Sequence, residues 1–187
     1  MNGRLVAAEA PYRIHRLPVD LIDRVTLADG RELIVRPVLP QDAEATQDFV
    51  RALSRTSRYR RFHAGLPMLP APLLEGLTQV DHDRHVALVA QTVDDTPVLV
   101  AEARYVRRDD EPVAEFALVV ADDWQGQGLG RMLLERLGRH AARHGVLRLE
   151  GDVLHDNAPL FALVEHFGGR ITSPPGGHGV LRATFAA

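Results

Sequence analysis

The strongest constraint in this chain is an apolar run that passes straight into a glycine-rich turn and then into an amphipathic helix. Residues 113–120, Val-Ala-Glu-Phe-Ala-Leu-Val-Val, have strand-forming composition, broken only by Glu115. The turn carries three alternate glycines, Gly126, Gly128 and Gly130. Glycine lets the backbone approach a ligand closely and aim successive N–H groups at one point. Beyond it, Leu129, Met132, Leu133, Leu137 and Ala141 recur at helical spacing, while Arg131, Glu135, Arg136, Arg139 and Arg143 take the other faces. The N-terminus of such a helix presents a partial positive charge, so the unit suits a pyrophosphate, with Arg131 able to add a charge-assisted contact.

Two other anion loops are tested by their spacing. A Walker A loop ends in Gly-Lys-Ser/Thr, whereas the corresponding end here is Gly130-Arg131-Met132. A dinucleotide fingerprint starting at Gly126 and Gly128 needs its third glycine at position 131, which is arginine. Glu150 stands where a ribose-binding acid would, but the strands before the turn read as an antiparallel meander rather than a parallel unit.

That meander is residues 85–91, 97–107 and 113–120, joined at Asp94-Asp95 and at 109–112. Upstream, a turn at Asp29-Gly30 links short strands at 25–27 and 32–39, and helices are expected at 42–53 and 72–78. Downstream come a strand at 146–154, a helix at 158–167 and strands at 170–172 and 180–185. The chain of 187 residues, 45% of them hydrophobic, can bury one sizeable core, and no internal repeat interrupts it. An α/β (α+β) domain over 25–187 follows, preceded by an irregular arm at 1–24.

Charge and composition narrow the function classes. A net charge of −3 gives no global drive toward nucleic acid or an anionic membrane, and neither is expected as a partner. Residues 1–17 are interrupted by charge and do not read as a secretory signal, and no run approaches a membrane span. The chain has no cysteine, which excludes disulfides, thiolate metal sites and a cysteine nucleophile, and makes the cytoplasm the expected setting. All 22 basic side chains are arginine, which fits a base-composition bias. His140 and His144 have a zinc-compatible spacing but lack the glutamate of a metalloprotease motif, so no metal is expected.

The segment Gln125-Gly126-Gln127-Gly128-Leu129-Gly130 resembles the Gln/Arg-x-x-Gly-x-Gly/Ala loop of the GNAT acyltransferases. Residues 114–120 resemble that superfamily's central strand, and Asn157 with the following helix and Phe167-Gly168 resembles its later motif, so the likeness covers roughly residues 31–187. It implies a mixed, mostly antiparallel sheet of six to seven strands flanked by about four helices. The sheet would splay after the central strand to admit acetyl-CoA as cosubstrate. The implied cofactor contacts are Leu118, Val119, Val120, Gln125, Gly126, Gln127, Gly128, Leu129, Gly130, Arg131 and Asn157. Asn157 also reads as a helix N-cap ahead of Pro159.

Residues 53–62, with Leu77-Thr78 and Asp81, further resemble the acceptor-side segments of bacterial protein lysine acetyltransferases that regulate acyl-CoA synthetases. The implied acceptor is a lysine of such a synthetase or another protein. A small amine, or a non-catalytic acyl-CoA sensor, are the other readings. The nucleotide-binding or synthetase-like domains often fused to such modules are not found here, so regulation through one is not expected. The oligomeric state, monomer or homodimer, is open.

An amine with a pKa of about 10.4 is a cation near neutral pH and needs a base. Glu115 fits, because it shares a strand face with Ala117 and Val119 and is expected to gain basicity by burial; a salt bridge to Arg104 is the competing reading. Backbone N–H groups around Val119 and Val120 are the implied oxyanion donors. The tyrosine that many relatives place seven residues after the asparagine is Val164 here. Tyr59 and Tyr105 are possible substitutes, each expected to pack its ring in the core with the hydroxyl at the surface. Arg51, Arg55, Arg58, Arg60 and Arg61 read as a solvated helix end, Trp124 as a cover for adenine or for the strand end, and His178 as a possible edge of the acceptor mouth.

Overall fold

A computed structural model describes residues 17–107, 111–174 and 179–187. Eight strands form one sheet in the order β1-β2-β3-β4-β5-β6-β8-β7. They are β1 (Asp23–Thr26), β2 (Glu32–Pro37), β3 (His85–Thr92), β4 (Leu99–Arg107), β5 (Val113–Val120), β6 (Arg148–Leu154), β7 (Arg170–Thr172) and β8 (Val180–Ala186). Every neighbouring pair is antiparallel except β5 and β6. Five helices accompany them: α1 (Ala43–Ala52), α2 (Arg55–Phe62), α3 (Ala71–Thr78), α4 (Leu129–Arg143) and α5 (Ala158–His166).

The mixed, mostly antiparallel GNAT-like architecture is therefore present, with one strand and one helix more than the resemblance implies. The extra helix is α2, whose sequence Arg-Thr-Ser-Arg-Tyr-Arg-Arg-Phe offers almost no apolar period to read. Its start is fixed by a cap instead: Ser54 Oγ accepts the Ser57 N–H at 3.1 Å. At the N-terminal end, a 3₁₀ turn at Val19–Leu21 leads into β1, and Leu21 is buried in the core.

Side-chain alternation explains the two layers that sandwich the sheet. On β2, Leu33 and Val35 are fully buried, while Glu32 before them and Ile34 between them are more open. One sheet face packs Val86, Leu88, Ala103 and Phe116 against Leu129, Leu133, Leu134 and Leu137 of α4. Each such leucine removed from water contributes roughly 1.5–3 kcal/mol. The other face packs Ala87, Val89 and Val119 against Phe49, Val50 and Leu53 from α1 and its end, and Leu77 of α3. Gly145, at φ +82°, ends α4 in the left-handed region and turns the chain toward β6.

Candidate active site

The one parallel ladder is short. Val113, Ala114 and Glu115 pair with Arg148, Leu149 and Glu150, after which β5 continues to Val120 paired only with β4. Where the strands part, Gly151 lies so close to Phe116 that an added Cβ would sit 2.9 Å from the Phe116 carbonyl oxygen. The opening is a cleft of about 430 Å³. Its walls are Phe116 to Val120 of β5, the turn around Gly126 and Gly128 with the start of α4, the α5 residues Leu160, Leu163 and His166, and Ser57, Arg60 and Arg61 of α2.

The three turn glycines are required for different reasons. Gly126 and Gly128 have φ of +73° and +79° with open space around them, so backbone conformation alone selects glycine. Gly130 has ordinary helical geometry, but a Cβ there would press on Leu118 Cδ2 at 3.1 Å. Gly128 is the N-cap of α4 and supplies no side-chain acceptor. The first N–H groups of this 15-residue helix are thus left to meet an anion at the cleft floor. These uncapped donors and the glycine turn fit the pyrophosphate of acetyl-CoA.

The cleft brings together Leu118, Val119, Val120, Gln125, Gly126, Gly128, Leu129, Gly130, Arg131 and Asn157; Gln127 is not in its lining. Leu129 is 1% exposed, which leaves only its backbone for a ligand. The Gln125 amide donates to the Val120 carbonyl at 3.0 Å and to Ser57 Oγ at 3.2 Å, so its side chain braces the turn. Arg131 Nε pairs with Glu135 at 2.8 Å on the exposed side of α4. Asn157 caps α5, its Oδ1 accepting the Leu160 N–H at 3.4 Å. Trp124 lines the cleft while the Arg31 guanidinium covers its ring at 3.8 Å from the centroid.

Glu115 differs from its expected setting. It is exposed, not buried, because the α1 and α3 layer covers Val119 at the far end of the strand and stops short of Glu115. It borders a second, polar hollow of about 320 Å³ together with Glu111, Glu150, Asp152 and Arg182. Asp152 lines both this hollow and the main cleft, so the two adjoin at that residue. Arg182 pairs with Glu150 and Asp152, each at 2.8 Å. Arg104 is held by the buried Glu102, by His85 Nε2 at 2.8 Å and by the Leu77 carbonyl at 3.0 Å. Burial, with the charge of Arg104 second, pulls the His85 pKa down to about 4.

Several candidate side chains serve the fold. Tyr105 is 1% exposed, and its hydroxyl meets His140 Nδ1 at 3.0 Å inside the core instead of reaching the surface; burial pushes its pKa up. Tyr59 is half exposed, so its ring is not in the core. Val164 is fully buried. His140 stacks on His144 with ring centroids 4.1 Å apart. Asp81 accepts the N–H groups of Asp83 and His85, and Leu77 and Thr78 are buried. His178 lies outside the described residues.

Arg51 and Arg55 are exposed as expected, but the other three arginines are engaged. Arg58 donates to the Arg51 and Leu53 carbonyls at the end of α1, Arg60 to the Asp156 carbonyl at 2.8 Å, and Arg61 approaches Glu102 at 3.5 Å. Asp122, which was given no role from sequence, accepts from Ser54 N at 2.8 Å, Ser54 Oγ at 2.7 Å and Ser57 Oγ at 2.8 Å. It ties α2 to the end of β5. The Ser-x-x-Ser spacing was the available signal for the cap, but nothing local marked Asp122 as its partner.

Residues 49–168 match the model of the acetyltransferase (GNAT) family. An acetyltransferase of Pseudomonas aeruginosa is 33% identical over 121 residues, 64% of this chain and 65% of that protein. The acetyltransferase Pat of Mycolicibacterium smegmatis is 36% identical over 145 residues, 77% of this chain and 43% of that protein. The chain thus spans less than two thirds of the length of either relative. The crystal structure of the GNAT domain of S. lividans PAT superposes with a TM-score of 0.82 at 29% identity, covering 91% of this chain and 99% of that one.

Proposed function

Because this chain belongs to the GNAT acetyltransferase family, whose members use acetyl-CoA, we propose that it transfers the acetyl group to a primary amine, foremost a protein lysine, with Glu115 as general base. The observation that carries this reading is the adjacency of two spaces with different chemistry. An apolar-walled cleft ends on uncapped helix N–H groups, and the polar hollow bordered by Glu115 lies beside it, with Asp152 lining both.

Acetyl-CoA would lie with its pyrophosphate on the turn at 125–131 and its thioester in the gap beside Ala117 to Val120. The free edge of β5 offers the Val120 N–H, next to Val119, for the carbonyl oxygen as it gains charge, since Ala121 and Val119 turn theirs to β4. The acceptor enters from the hollow as an ammonium ion, whose positive charge suits the carboxylates there. Glu115 takes its proton, the neutral nitrogen attacks the carbonyl carbon, and the C–S bond breaks with its electron pair on sulfur. A thiol pKa of about 8.5 lets the thiolate leave, and the surplus proton on the new amide nitrogen reaches it through water.

The acceptor class is inferred from the likeness of residues 53–62 to protein lysine acetyltransferases. The chain has no lysine, so no ε-amine of its own competes with an added acceptor. The test measures CoA release from acetyl-CoA with a lysine-bearing acyl-CoA synthetase and, separately, with pooled small amines. Glu115→Gln should lower turnover roughly 10²-fold or more near neutral pH, with the loss shrinking as pH rises and the amine deprotonates itself. Equal turnover by Glu115→Gln at limiting amine would move the base elsewhere. Fast turnover of a small amine alone would reject the protein-lysine reading.

A further inference from the structure

We propose that Arg61 is a catalytic residue of this transfer, its guanidinium holding the negative charge that builds on the acetyl thioester as the C–S bond breaks. The proposal rests on the reading of the cleft as the acetyl-CoA site and of Glu115 as the base. It answers a question left by the sequence: what replaces the tyrosine acid at Val164. That valine is fully buried, and the Tyr105 hydroxyl is engaged by His140 inside the core.

Arg61 of α2 lines the cleft along with Ala117, Leu118 and Val119 of β5. Its side chain is only 10% exposed, and its Nε is buried with no hydrogen-bond partner among the described residues. The nearest carboxylate, Glu102, is 3.5 Å away and already grips Arg104, so two buried guanidiniums share one carboxylate. The charge of Glu115 also reaches Arg61, so the excess becomes one positive charge once Glu115 has taken the acceptor's proton. Glu102 stands directly across the ladder from Val119, which fixes that excess at the height where β5 loses its β6 partner.

The other cleft arginines end on acidic residues away from β5. Arg60, whose Nε is also buried without a partner, ends on Asp156, and Arg131 turns outward to Glu135. Keeping an incompletely neutralised cation out of water is costly, and burial is the main influence drawing the Arg61 pKa down, with Glu102 opposing it. Such a charge is useful where an anion forms transiently in a site of low polarity.

In the balanced step, Glu115 has already taken the ammonium proton, the amine nitrogen's lone pair makes the N–C bond, and the surplus proton on that nitrogen passes to water. The carbonyl π pair moves onto oxygen and returns as the C–S pair departs on sulfur. Arg61 gives up no proton; it lowers the energy of the oxyanion and the thiolate by its charge, and water relays the nitrogen's surplus proton to the thiolate.

The test uses the full chain with acetyl-CoA and a lysine-bearing peptide. Arg61→Gln should lower kcat by roughly 10²–10³-fold, the scale of one lost oxyanion donor, while CoA still raises the melting temperature as in wild type. Free guanidinium should restore part of that kcat, which a merely structural loss would not permit. The loss should persist at high pH, unlike that of Glu115→Gln. Arg61→Lys keeps the charge with fewer donors and should lie between the two; it carries the test if Arg61→Gln does not fold. Unchanged kcat in either variant, with wild type active, overturns the proposal. So does a loss seen only with succinyl-CoA, which would make Arg61 a ligand for an acyl carboxylate. Absence of CoA release by wild type with every amine would instead strike the underlying functional reading.

Discussion

Replacing Asp122 with asparagine should unfasten α2 from the rest of the site. The carboxylate receives three hydrogen bonds, at 2.7 to 2.8 Å, from the backbone and hydroxyl of Ser54 and the hydroxyl of Ser57. Hydrogen bonds to a charged group contribute about 1.5–3 kcal/mol each, less where solvent competes, as it does at this exposed residue. Asparagine can keep the two hydroxyl bonds on one oxygen but sets an NH₂ against the Ser54 N–H. The expected cost is about 1–2 kcal/mol. For a domain of this size that lowers Tm by roughly 2–8 °C. The sign of the pH dependence follows from the Asp122 pKa, which burial pushes up but the Ser54 and Ser57 donors pull below its ordinary 3.8. Its stabilisation is therefore complete above that value and is lost as pH falls through the lower folded value. Paired denaturation curves for wild type and Asp122→Asn should be separated at pH 7 and converge in strong acid. Coincident curves at pH 7, with unchanged amide exchange at Ser54 to Ser57, would refute the reasoning.

Other substitutions test separate parts of the structure. Gly128→Glu should abolish the thermal shift produced by CoA while the protein stays folded, since it sets bulk and negative charge at the mouth of α4 and adds about 1–2 kcal/mol of left-handed strain. Gly169→Ala should be worse for folding than any cleft variant, because its Cβ would meet the Thr184 carbonyl at 2.6 Å and Val164 Cγ1 at 2.7 Å; loss of soluble protein is the readout. Tyr105→Phe should cost about 1 kcal/mol and leave kcat unchanged, whereas a large fall in kcat would restore Tyr105 as an acid. His140 has its pKa lowered to about 4, chiefly by burial and next by His144, so it should contribute stability above its ordinary 6.5 that is lost as pH falls toward 4. His140→Gln should flatten part of that slope in denaturation measured across the same range.

The features legible in the sequence were those carried by one local segment. The strand, turn and helix at 113–143 could be read because alternation, three glycines and a helical apolar stripe lie side by side. The cap at Asn157 was legible for the same reason. What stayed hidden depends on residues far apart in the chain. Arg61 and Glu102 meet across 41 positions, and Ser54 and Asp122 across 68, so no window contains either pair. Helix α2 was missed because its stability comes from its Ser54 cap and these remote anchors, not from an apolar face. The exposure of Glu115 was misjudged because strand alternation assigns a face but says nothing of how far the helices above it reach.

The brief parallel ladder also divides the molecule mechanically. β4 and β5 are laced from Ala101 to Arg107, but β5 and β6 only from Val113 to Glu115. Strands β6, β8 and β7 with α5 therefore join the larger block through a ladder of only three residue pairs, reinforced by the edge-on contact of the Phe116 and Phe185 rings. Such a seam invites separate cooperative units, with amides of β6 to β8 exchanging by an opening that leaves β1 to β5 closed. Because α4 and β5 form one bank of the cleft and α5 the other, a ligand spanning it acts as a rivet. Its binding should slow exchange on the smaller block far from any atom it touches, joining two units into one.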